Sequence, residues 1–157
     1  MDTFYININT YMKTHSQYRA VLHFLTSYLS YIFIVSYPCL LLYLVLTRNP
    51  LWFMTLLKPL LAFVLVTFIR KIINRKRPYE VYPITPIKGH HTGQSFPSRH
   101  TVSAMIIALC FMHVHRPLGI IMMIFAFIIA LTRILGSLHY VSDVLTSLVI
   151  AILIDLI

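Results

Sequence analysis

Acidic residues are the scarcest feature of this sequence. Only 4 of its 157 residues are Asp or Glu, against 13 Lys plus Arg, a formal charge of +9. A hard divalent cation needs several oxygen ligands, and no carboxylate cluster suited to Mg²⁺ is present, so no metal and no other cofactor is expected. Cysteine is scarcer still. Cys39 and Cys110 both fall inside apolar runs, which excludes a disulfide framework or a Cys/His metal spacing and leaves two buried or lipid-facing thiols. The opening stretch, MDTFYININTYMKTHSQYR, lacks the basic-then-apolar layout of a signal peptide. Residues 1–19 are therefore expected to stay, as an interfacial segment using Phe4, Tyr5, Ile8 and Tyr11. There is no internal repeat and no low-complexity tail.

Apolar residues are abundant. They make up 59% of the chain, and mean hydropathy is +0.80. A soluble domain of this size cannot hide so much apolar surface, so the composition predicts one all-α integral-membrane domain over residues 1–157. In that setting the basic excess points to anionic headgroups or a phosphate-bearing substrate rather than to nucleic acid. Apolar runs at about 21–46, 50–73, 97–114, 117–135 and 139–157 each approach the roughly 20 residues a spanning helix needs. Five transmembrane helices in one bundle are expected. A polar stretch, 74–97, carries Pro78, Pro83, Pro86, Pro97, Gly89 and Gly93 and reads as an ordered, irregular loop.

Short links make neighbouring helices antiparallel, which gathers three clusters at one membrane level. These are RKIINRKRP (70–78), PSRH (97–100) and RILGSLHYVSD (133–143). That face also carries Lys13, Arg19 and Lys88, whereas Arg48, Lys58 and Arg116 fall elsewhere. Counted naively, the basic excess puts the crowded face in the cytoplasm. Arginines that serve a site say nothing about insertion, however, and without them the bias is weaker.

Ionisable groups at such depth are costly and usually functional. Guanidinium groups bind phosphate oxygens in pairs. Ser98 and the N–H groups at the start of a helix add donors where the dipole favours an anion. His139 and Asp143 are four residues apart and share a helix face. A carboxylate there can hold the Nδ1 proton and leave Nε2 free to attack. His100 is then a candidate acid for the leaving group. Together these groups predict phosphoryl transfer through a phosphohistidine. Singly, each has a plainer account: 70–77 as an interfacial anchor, Ser98 as an N-cap, His139 as a structural histidine.

The three clusters, in this order, resemble the type 2 phosphatidic acid phosphatase superfamily, whose pattern is Lys-x6-Arg-Pro, Pro-Ser-Gly-His, then Ser-Arg-x5-His-x3-Asp. Here the third element reads Thr132-Arg133, five residues, His139, three residues, Asp143. The second has Arg99 where glycine is usual. The first ends in Arg77-Pro78, with Arg70 at the lysine position and Lys71 one residue out of register. The resemblance implies a helical bundle in which His139 is the nucleophile, Asp143 orients it and His100 is the general acid. Arg70 or Lys71, with Arg77, Ser98, Arg99 and Arg133, would hold the phosphate. Arg99 cannot easily take glycine-like positive φ, and its side chain is expected over the pocket, against a second phosphate. Family members usually have six membrane helices; the N-terminal segment can stand in for the sixth as a surface helix. The resemblance also favours a site at the outer face of a cell membrane.

The expected activity is that of a lipid phosphate phosphatase. Polyprenyl (undecaprenyl) diphosphate is the first substrate, since KIINRKRP looks like the bacterial members of that type. Phosphatidylglycerophosphate, phosphatidate and the phosphate of lipid A follow. A lipid phosphotransferase, a vanadate-dependent haloperoxidase and a non-catalytic membrane binding or scaffold protein are the rivals. Beyond the site, His90 and His91 are expected in a solvated loop. His113, His115 and Lys58 are expected at the opposite membrane face, with Lys58 snorkelling.

Overall fold

The computed structural model describes residues 2–88 and 92–157. His90 and His91 lie outside the described residues. Among the described residues every regular element is a helix: α1 (Asp2–Thr14), α2 (Ser16–Leu46), α3 (Trp52–Ile73), α4 (Pro78–Val81), α5 (Arg99–Val114), α6 (Arg116–Leu135) and α7 (Val141–Asp155). The five apolar runs become α2, α3, α5, α6 and α7, with ends close to those expected. Three stretches, Ser16–Leu46, Trp52–Val81 and Arg116–Leu135, are long and apolar enough to cross a membrane, and α5 is a shorter apolar helix.

Helix α5 forms the axis of the bundle and packs against α2, α3, α6 and α7. It is buried nearly all round, through Val102, Ala104, Met105, Ile106, Ala108 and Cys110. A helix enclosed on every side has no need of a polar face. The outer helices instead turn large apolar side chains outward, among them Phe24, Ile34, Phe63, Phe68, Ile124 and Leu153. That apolar belt suits lipid as its solvent. Cys39 is exposed and Cys110 buried, both as thiols.

Sequence punctuation sets the ends. Asn74, in the left-handed region at φ 40°, terminates α3, and its side chain then accepts the Gln94 N–H at 3.2 Å. Asparagine tolerates that conformation better than most residues. Pro78 opens the single turn of α4, since proline loses nothing at the first position of a helix. Helix α1 is amphipathic and lies against the loop 82–88, where the Asn9 amide donates to the Thr85 carbonyl at 2.7 Å. The segment expected at the interface is thus mostly helix α1, docked on the loop 82–88, and its last residues already belong to α2.

At the far end of the bundle, Lys58 of α3 does not simply snorkel. Its Nζ donates to the Asp155 carbonyl oxygen at 2.6 Å and meets the Asp155 carboxylate at 3.2 Å. His113 of α5 contacts the same carboxylate at 3.0 Å. Burying an ammonium near the end of a helix is costly without a partner, and Asp155 supplies one.

Candidate active site

The sharp turn between α6 and α7 places His139. The Arg133 carbonyl accepts both the Leu138 and His139 N–H groups, at 3.0 and 3.1 Å. Ser137 takes the left-handed conformation at φ 57°, and Gly136 lets the Ile87 side chain approach to where a Cβ would clash. The spacing of six between Arg133 and His139 is therefore a closed loop at the helix end, and both side chains reach one cavity.

That cavity has a volume of about 620 Å³. Its wall carries Arg70, Arg77, Lys88, Arg99, His100, Arg133 and His139. Among the described residues, no carboxylate lines it. Arg70 and Arg133 are only 4% and 5% exposed. Arg70 donates to the Pro97 carbonyl at 2.8 Å. Arg133 donates to the Thr26 carbonyl at 3.2 Å and to the Ser30 hydroxyl at 3.4 Å. In each, Nε is buried with no partner. Two buried guanidinium side chains on the wall of one cavity, with no carboxylate beside them among the described residues, make a receptor for an anion. Arg77 is steadied from behind: its Nε donates to the Gly93 carbonyl at 3.1 Å, and Glu80 accepts its backbone N–H at 2.7 Å.

His139 is almost wholly buried, and its ring is held by a group the sequence did not reveal. Its Nδ1 lies 2.7 Å from the Ser95 carbonyl oxygen and 3.6 Å from Asp143 Oδ2. A carbonyl can only accept, so Nδ1 carries the proton and the lone pair of the neutral ring sits on Nε2. Asp143 was expected to be that acceptor. It stands one step back, fully buried, accepting from the Ser95 hydroxyl, from the Tyr140 N–H at 3.0 Å and from Arg75 at 2.7 Å. Burial pulls the His139 imidazole below the usual histidine range, with Asp143 opposing.

Two expected phosphate ligands sit elsewhere. Lys71 is exposed and is not on the cavity wall, because consecutive helix residues point about 100° apart and Arg70 already faces in. Ser98 starts α5 but is fully buried, off the wall. Its hydroxyl accepts from Thr101 at 3.0 Å, and its N–H donates to Ser147 at 2.8 Å. Arg99 is the first residue of α5, with no positive φ, so the glycine of the pattern is not required for backbone reasons here. Its side chain borders both this cavity and a second of about 460 Å³. That second cavity is an apolar groove with Phe33, Ile34, Tyr37, Phe63, Ala104, Ile107 and Ile129 on its walls.

Comparison with known proteins shows the family and the fold. Residues 51–157 match the PAP2 superfamily. The chain belongs to that family. It is 26% identical over 151 residues to the bacitracin transport permease protein BcrC of Bacillus licheniformis, covering 93% of this chain and 72% of that one. It is 36% identical over 78 residues to the undecaprenyl-diphosphatase BcrC of Bacillus subtilis (strain 168), half of this chain and 40% of the relative's length. The crystal structure of Aquifex aeolicus LpxE superposes with a TM-score of 0.78 at 24% identity, covering 98% of this chain and 91% of the other. The PAP2-type phosphatidylglycerolphosphate phosphatase from Bacillus subtilis gives 0.56 at 20%, covering 98% and 90%. At these identities the two structures establish the shared helical fold alone.

Ser95, Ser147, Arg75 and Glu80 hold the site and were not singled out from the sequence. Ser95 acts partly through its carbonyl, which no residue type announces. Arg75 was one of five basic residues in a run, and only the fold separates it from Lys76.

Proposed function

We propose that this chain is a multi-pass membrane phosphatase, crossing the bilayer five times, that releases phosphate from a lipid diphosphate. The observation that carries this reading is the meeting of two cavities. A pocket lined by cations, including the buried Arg70 and Arg133, shares Ser30, Ile34, Arg99 and His100 with an apolar groove on the bundle's side. A lipid fits that pair of environments, headgroup in one and chain in the other. Arg99 stands at their junction, where a second phosphate between headgroup and tail would lie. A polyprenyl diphosphate is the first choice within the class.

In this reading, Arg70, Arg77 and Arg133 hold the terminal phosphate. His139 Nε2 attacks phosphorus, forming an N–P bond as the bond to the leaving oxygen breaks. His100 gives that oxygen its proton. Water then attacks the phosphohistidine, His100 takes the water proton, and the N–P bond breaks to release phosphate. The arginines stabilise charge as it builds on the equatorial oxygens.

The test is phosphate release by detergent-purified protein from polyprenyl diphosphate, phosphatidylglycerophosphate, phosphatidate and lipid A, each with and without EDTA. The expected result is turnover of the diphosphate lipid, unaffected by EDTA and abolished in His139→Ala. Equal rates on water-soluble phosphates would sink the lipid reading, and activity lost in EDTA would sink the metal-free mechanism. The outer-face orientation is tested by labelling a cysteine placed at Lys88 in intact cells, where modification by an impermeant reagent is expected.

A further inference from the structure

The PAP2 match begins at residue 51, and α1 lies well before it. Yet α1 reaches the inner support of the site. Tyr5 is only 2% exposed, and its hydroxyl accepts the Val141 N–H at 3.1 Å. That N–H is one of the free donors at the start of α7, two residues before Asp143. The Tyr5 ring meets the Tyr140 ring edge-on at 5.7 Å and stacks on Tyr82 at 6.0 Å. The Arg75 guanidinium lies over the Tyr140 ring at 4.0 Å, a cation–π contact. From there Arg75 donates to Ser142 at 2.8 Å and to Asp143 Oδ1 at 2.7 Å. Arg75 is absent from the cavity wall.

These contacts form a continuous chain from α1 to Asp143. The other Asp143 oxygen is held by Ser95, whose carbonyl fixes the His139 ring. Asp143 thus has two jobs at its two oxygens: Oδ2 faces the histidine's support, and Oδ1 is anchored from outside. We infer that Arg75, braced by Tyr140 and by Tyr5 of the N-terminal helix, is a positioning residue for the Asp143–Ser95–His139 unit. The N-terminal helix is then part of the site's framework and not merely a surface anchor. This inference rests on the reading of His139 as nucleophile.

A positioning residue that never touches substrate acts on turnover and leaves binding alone. For Arg75→Gln, kcat on the lipid diphosphate is expected to fall about 10- to 100-fold, the scale of a small misplacement of reacting groups. KM stays within about twofold, as befits a group making no substrate contact. Arg75→Lys, which keeps a charge within reach of Oδ1, recovers part of the loss. Tyr5→Phe removes one hydrogen bond and is expected to lower kcat roughly fivefold, with the same KM. If Arg75→Gln does not fold, Arg75→Lys and Tyr5→Phe carry the test on their own. Wild-type kcat in Tyr5→Phe together with either Arg75 variant would overturn the inference. So would a loss appearing in KM alone, which would make Arg75 a substrate ligand. If the wild-type protein releases phosphate from none of the lipids, the phosphatase reading fails first and takes the inference with it; an active wild type with indifferent variants removes the inference alone.

Discussion

The two buried guanidinium groups on the cavity wall, of Arg70 and Arg133, define what the residues alone can do. Cations crowded in a buried site are unfavourable until an anion offsets them. An anion in the cavity should therefore raise stability. At a hundredfold excess over Kd, binding of inorganic phosphate or orthovanadate should add about 2.7 kcal/mol, read as a rise in Tm of the detergent-solubilised protein. Arg133→Ala should diminish the rise, because it removes one of the three arginines that hold the anion; an undiminished rise would place the anion elsewhere. His139 carries the pH dependence. Its folded value lies below the usual histidine range because burial disfavours the charged ring. The neutral ring, needed for attack, therefore persists as pH falls through about 6.5. The acid limb of kcat/KM belongs below that point. The linkage to stability has the matching sign: the unfolded chain binds the proton first, so the His139 contribution is intact above about 6.5 and is lost as pH falls toward the folded value. An acid limb centred above 7 would contradict the assignment.

At the scale of elements, the α5–α6 hairpin shows what close packing demands. A Cβ on Gly119 would stand 2.5 Å from the Met112 backbone nitrogen and Cα. Backbone cannot step aside as a flexible side chain can. Gly119→Ala should cost roughly 1–3 kcal/mol, seen as a lower Tm, and Gly119→Leu should yield no folded protein. An unchanged Tm in Gly119→Ala would mean that the two helices are farther apart. The helices themselves were legible in the sequence, since long apolar runs and Pro/Gly punctuation operate locally. The three-cluster convergence was legible too, because antiparallel order follows from short links. Facing was harder. Arg70 and Lys71 are neighbours in sequence but point in different directions, and only packing decides which one reaches the cavity. Ser98 was read as a ligand from its place at a helix start, but the neighbouring Ser147 and Thr101 occupy its polar atoms. The Ser95 carbonyl has no signature at all. Tyr5 was read as an interfacial anchor because aromatic residues on an amphipathic helix usually are; its reach to Val141 depends on a contact 136 residues away in sequence.

Across the whole molecule, three helices are fastened at both ends, and the two ends differ in electrostatic character. Helices α3, α5 and α7 bring Arg70, His100 and Asp143 to the cavity end and Lys58, His113 and Asp155 to the other. At 1.5 Å per residue, each pair is separated by about 18–20 Å along its helix. The cavity end gathers cations that no carboxylate on its wall offsets, which suits an anionic substrate. The far end pairs Lys58 and His113 with Asp155, whose side chain is 14% exposed. That pairing is structural, and its loss should be felt as stability. Asp155→Ala leaves Lys58 the backbone carbonyl of residue 155 but no countercharge near the end of an apolar bundle. A cost of roughly 1–3 kcal/mol is expected, between that of exposed and fully buried pairs. Tm should fall accordingly, while kcat/KM on the lipid diphosphate at a temperature well below Tm stays within about twofold, since the change lies beyond the reach of direct contact and stability effects at separated sites are usually independent. A variant that keeps its Tm but loses turnover would show the reverse: the far end would then be coupled to the cavity through α3, α5 or α7, and the bundle would not be the rigid frame that the buried axis of α5 implies.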